Sequence, residues 1–176
     1  QQRSLLALQK AEKMKKQAFA DRYPYGIFSC IRTMGHIYKS RGNFDLSAQY
    51  YQEALDYMLK NMPDQDPSQL YSSLAEYYRN TQKDYATALD YCEKALKSAK
   101  TERNIAQAMI EKCLILFRQG RIDEFNDCYK EAVQMADRCK LSANVSLLIA
   151  HISKNILDKQ YEQAHAHADQ LSEKGL

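Results

Sequence analysis

Apolar residues recur along this chain at spacings of three and four, the interval that places side chains on one face of an α-helix. Met34, Gly35 and Tyr38 make one such face, and Met109, Cys113 and Leu116 make another. Short polar breaks divide the pattern. The clearest is Asn61 to Pro67, reading NMPDQDP, in which Asp66 suits an N-cap and Pro67 the first turn of the next helix. Gly42 and Gly120 suit helix C-termini, where the chain turns through positive φ. The pattern predicts helices near 2–20, 25–41, 44–61, 67–82, 84–99, 102–119, 122–138, 142–158 and 160–174, about nine in all.

The helices repeat in pairs. MGHIYKSRGNFDLSAQYYQEAL from Met34, LAEYYRNTQKDYATALDYCEKAL from Leu74 and KCLILFRQGRIDEFNDCYKEAV from Lys112 align with one another. Their closing small residues, Ala54, Ala95 and Ala132, lie 41 and 37 apart. The residues after the turn, Phe44, Tyr85, Ile122 and Tyr161, lie 41, 37 and 39 apart and mark a weaker fourth copy. A period of 20–50 residues is the signature of a solenoid, in which each unit buries its apolar stripe only by stacking on its neighbours.

The alignment resembles the tetratricopeptide repeat over residues 28–176. Gly35, Tyr38, Gly42, Ser47, Tyr51 and Ala54 fall at the family's positions in the first copy. The second matches through Leu74, Ala75, Tyr78, Ala88 and Ala95, with one extra residue in its turn. The third does so through Cys113, Leu116, Gly120, Tyr129 and Ala132. The chain departs from the family in its longer period, in Lys112 at an apolar position, and in Phe125 and Leu171 at small ones. The resemblance implies an all-α, right-handed superhelical solenoid of antiparallel helix pairs. The expected division is a single array over 1–176: an orphan helix over 1–24, the second of a pair whose partner lies outside this chain, and repeats over 25–61, 67–100, 102–139 and 142–176, the last degenerate.

In this family the first helix of each pair lines the concave face. Carrying that register onto this chain gives Arg32, His36 and Lys39, then Ser72, Glu76 and Arg79. The third repeat gives Ile110, Leu114 and Phe117, and the fourth Ala150, Lys154 and Leu157. The third set is a second apolar stripe beside the packing stripe of its helix. Exposed, it would seat an amphipathic or extended peptide, with Arg32, Lys39 and Arg79 pairing acidic groups. Covered by a neighbouring helix, it would be core. The Lys/Asn/Arg clamp with which co-chaperone repeats hold a carboxylate is not reproduced, because the matching positions hold Arg32, His36, Ser73, Gln107 and Glu111.

Composition agrees with this class and trims the alternatives. The chain has 176 residues, is 45% hydrophobic and 27% charged, and contains only 5 Gly and 3 Pro, too few turn-formers for an architecture of many short strands. No apolar run is long enough to span a membrane. The net charge of +3 is uneven, for residues 1–40 carry 8 Lys/Arg against 2 Asp/Glu. Such an end can meet an anionic partner, but no basic-aromatic motif for nucleic acid accompanies it. Cys30, Cys92, Cys113, Cys128 and Cys139 form no CxxC pair and read as small hydrophobes. His165 and His167, two residues apart, point to nearly opposite sides of a helix and make a poor metal site. No phosphate-binding glycine loop or nucleophile elbow occurs.

The expected function is therefore non-catalytic, without cofactor or metal: capture of a protein or peptide, with self-association left open. The long-period copies are also similar in style to sensor regions of Bacteroides-group two-component kinases and regulators. That likeness implies the sensory or scaffold part of a larger signalling protein in the periplasm, whereas unpaired thiols favour a reducing cytoplasm. Two other readings stand beside it: the ligand domain of a cytoplasmic peptide-responsive transcriptional regulator, and nucleic-acid or anionic-partner binding through the basic first segment.

Overall fold

The computed structural model describes residues 2–141 and 144–173. Among these residues nine α-helices run in order: α1 (Gln2–Ala20), α2 (Pro24–Ser40), α3 (Phe44–Asn61), α4 (Ser68–Tyr77), α5 (Tyr85–Ser98), α6 (Glu102–Arg118), α7 (Ile122–Arg138), α8 (Val145–Leu157) and α9 (Tyr161–Ser172). The described residues contain no strand. The expected helix limits at 142 and 174, and the repeat limits at 1, 142 and 176, lie outside the described residues.

Successive helices pack as antiparallel neighbours: α1 on α2, α2 on α3, α4 on α5, α6 on α7 and α8 on α9. Small residues set the distance within each pair. At Gly35 an added Cβ would lie 2.7 Å from the ring of Tyr51, so only glycine lets α2 approach α3 this closely. Ala54, Ala75, Ala88, Ala95 and Ala132 are all buried. The third pair departs from this rule, for Phe125 is large yet fully buried, with Cys113 supplying the small partner on α6. Phe117 and Tyr129 pack on its ring at 5.5 and 5.7 Å. Burying an aromatic side chain of this size contributes about 1.5–3 kcal/mol.

The turns repeat as well. Gly42 at φ 73° and Gly120 at φ 71° take the left-handed conformation expected of them, and Arg22, Lys83, Lys140 and Lys159 adopt it at other turns. The extra residue of the second copy is absorbed as a π-helical turn over Tyr78–Gln82, where the Tyr78 carbonyl accepts from the amides of Lys83 and Asp84. Asp66 lies one residue ahead of the helix cap, which is Pro67. Its carboxylate accepts from the Ser68 amide (2.9 Å), the Lys100 amide (2.9 Å) and Asn104 Nδ2 (2.8 Å), joining two successive inter-pair turns.

Along the array α4 packs on α6 and α6 on α8, whereas contact between α2 and α4 is looser. The groove opens there. α6 is enclosed by α4, α5, α7 and α8, and Ala106, Ala108, Ile110, Cys113, Leu114, Ile115 and Leu116 are all buried. A helix that is apolar nearly all round is an interior helix.

Candidate ligand-binding groove

A cavity of about 270 Å³ opens between α2, α4, α6 and the start of α8. α2 contributes Arg32 and His36, α3 Tyr51, and α4 Gln69, Leu70, Ser72, Ser73 and Glu76. Gln107 and Glu111 come from α6, and Asn144 and Ser146 from the start of α8. A second cavity of about 280 Å³ adjoins it, sharing Tyr51, Ser73 and Glu76 and adding Phe44, Ala48 and Tyr77. Lys39 and Glu76, joined as an ion pair 2.5 Å apart, bridge α2 to α4 at the edge of both.

The floor of the first cavity is a buried polar seam. Arg79 donates from Nε (3.2 Å) and from its terminal guanidinium nitrogen (2.9 Å) to Oε2 of Glu111, and Ser146 donates to Oε1 at 2.7 Å. The remaining guanidinium nitrogen donates to Asn80 at 2.8 Å. Burial pushes the Glu111 carboxyl up from its ordinary range, against the opposing pull of the Arg79 guanidinium. Three helix pairs thus share one desolvated charge pair, whose members are 4% and 8% exposed.

His36 sits at the cavity mouth, its ring edge-on to Tyr51 at 5.3 Å, and its Nδ1 shares a hydrogen bond of 2.9 Å with the Tyr51 hydroxyl. Desolvation, and then the nearby charges of Arg32 and Lys39, push its pKa below the ordinary 6.5. Both effects favour the neutral ring, whose Nδ1 can accept a hydrogen bond from the Tyr51 hydroxyl. Arg32 is different. Its guanidinium lies over the Phe28 ring, 5.2 Å from the centroid, and its Nε is buried with no hydrogen-bond partner. Among the described residues it makes no ion pair, unlike Lys39 and Arg79.

Of the residues expected to line the concave face, Arg32, His36, Ser72 and Glu76 meet in the first cavity, and Lys39 reaches the second. Three expectations are corrected. Arg79 does not face the groove as a cation for acidic groups: the π-helical turn shifts the end of its helix in phase and carries the side chain inside, onto Glu111. Ile110 and Leu114 are 1% and 2% exposed, because both apolar stripes of α6 find a neighbouring helix. Phe117 is half-buried against Phe125. The apolar stripe is core, and the face that α6 turns to the cavity is Gln107 and Glu111. In α8, Ala150 is buried, Lys154 pairs with Asp158 at 2.7 Å, and Leu157 packs towards the α7 core. None of the three lines the cavity. Gln69, Asn144 and Ser146 were not foreseen. Gln69 lies one turn before Ser72 and Ser73 and was findable by extending the register, whereas the α8 residues enter through the placement of a helix start.

No helix among the described residues is long and apolar enough to cross a membrane. Comparison with curated proteins gives no match. The sequence model of the tetratricopeptide repeat matches residues 27–101, the stretch from α2 through α5 that supplies the α2 and α4 walls of the cavity. Tetratricopeptide repeats are protein-interaction modules that bind proteins or peptides and are typically non-catalytic. Over residues 27–101 the chain matches the tetratricopeptide repeat family, within an all-α array of stacked helix pairs among the described residues.

Proposed function

We propose that the cavity between α2, α4 and α6 takes a short, largely polar peptide segment, with an acidic group of that peptide seated against Arg32. The observation that carries this reading is the Arg32 guanidinium, which lies in the groove without a carboxylate while its basic neighbours are already paired. Gln69, Ser73, Gln107 and Asn144 line the same space with neutral donors and acceptors, suited to a peptide backbone. The adjoining cavity beside Phe44 and Tyr77 offers room for one apolar side chain. On this reading the chain is one array, divided at 25–61, 67–100, 102–139 and 142–176, and serves as the sensory or scaffold part of a larger signalling protein. The long-period style of the repeats supports that role.

The test is fluorescence anisotropy with labelled peptides drawn from a polar library, each paired with a version in which Asp and Glu become Asn and Gln. A charge-assisted hydrogen bond is worth about 1.5–3 kcal/mol. Arg32→Ala should therefore weaken binding of the acidic member about tenfold or more, and the neutral member should bind weakly to both proteins. Equal affinity of the acidic peptide for wild type and Arg32→Ala would remove Arg32 from the site.

A further inference from the structure

Cys113 on α6 and Cys128 on α7 bring their sulfur atoms to 2.7 Å across the third helix pair. Cys113 is completely buried and Cys128 is half-buried, with its Sγ also 3.5 Å from the Met109 carbonyl. A disulfide bond is about 2.05 Å long, so the two sulfurs already lie close to bonding distance. We propose that Cys113 and Cys128 are a thiol-pair modification site, oxidised to an intrachain disulfide by a small hydroperoxide.

The two thiols differ in the way the chemistry requires. The hydrogen bond from the Cys113 thiol, aided by the charge of Lys112, holds Cys128 below the ordinary thiol range although burial opposes it. Donating that bond, together with burial, pushes Cys113 up. Cys128 is thus the attacking thiolate and Cys113 the resolving thiol. The Cys128 sulfur attacks one peroxide oxygen, the O–O bond breaks, and hydroxide or alkoxide leaves, giving a sulfenic acid. The Cys113 sulfur then attacks the sulfenic sulfur; the S–S bond forms as the S–O bond breaks, and the Cys113 proton leaves with the hydroxyl as water. The two sulfurs together lose two electrons, which the peroxide gains. The half-burial of Cys128 favours a small peroxide over a bulky disulfide as the oxidant.

The test treats the reduced chain with hydrogen peroxide, blocks the remaining thiols and maps tryptic peptides. Two of the five thiols should disappear, peptides 113–118 and 122–130 should be recovered cross-linked, and the unfolding midpoint should rise by several degrees until a reductant is added. In Cys113→Ser, dimedone should label Cys128; in Cys128→Ser, Cys113 should stay unlabelled, with circular dichroism confirming that each variant is folded. Five titratable thiols after peroxide, a cross-link through a different cysteine, or linkage only between chains would each overturn the proposal.

Discussion

Arg79 carries its charge into the interior because Glu111 on α6 is placed to receive it, with Ser146 of α8 donating to the other oxygen of that carboxylate. Arg32, one helix pair earlier, has no such acceptor among the described residues, and its Nε is buried without a partner. Sequence spacing puts both on the concave face, with Arg79 in register with Lys39. The π-helical turn at Tyr78–Gln82 makes the difference. Its cause was legible as one extra residue in the second turn, but its consequence depended on Glu111, 32 positions away. Removing one partner of a buried pair leaves the other charge stranded, at a cost of about 3–5 kcal/mol. Arg79→Ala should show a loss of that size in urea unfolding, and Arg79→Met with Glu111→Leu a much smaller one. Similar losses in both would mean that packing, not the stranded charge, sets the cost.

At the level of the element, α6 is where sequence reading failed and where the reason is clearest. Its two apolar stripes were correctly located, but a stripe of Ile110, Leu114 and Phe117 reads identically whether it faces solvent or a neighbouring helix. Four helices surround α6, and that number is a property of the assembled array rather than of any local pattern. The consequence is measurable. Leu114→Ala should cost about 2–5 kcal/mol, as for other fully buried leucines, and should lower the thermal midpoint; adding Phe117→Ala should lower it further. Retained stability with weakened peptide binding would restore the stripe to the groove. Helix positions, the Gly42 and Gly120 turns and the small residues at helix contacts were all legible, because local periodicity and φ preference fix them. The contribution of Asn144 and Ser146 was not, since it arises from where α8 begins relative to α4 and α6.

Across the described residues, the helix pairs stack closely from α4 to α8 and loosen between α2 and α4, where polar side chains from five helices converge on open space. Its floor is neutralised by the Arg79–Glu111 pair and its edge by the Lys39–Glu76 pair, leaving Arg32 as the uncompensated charge. The most direct measurement is an NMR titration of isotope-labelled protein with the tightest acidic peptide from the library. The account predicts that amide shifts concentrate near Arg32, Ser73, Gln107 and Ser146, and that Arg32→Ala moves the titration to about tenfold higher peptide concentration or beyond while leaving the rest of the spectrum in place. Shifts concentrated instead on the outward faces of α3, α5 and α7, and unchanged by Arg32→Ala, would contradict it.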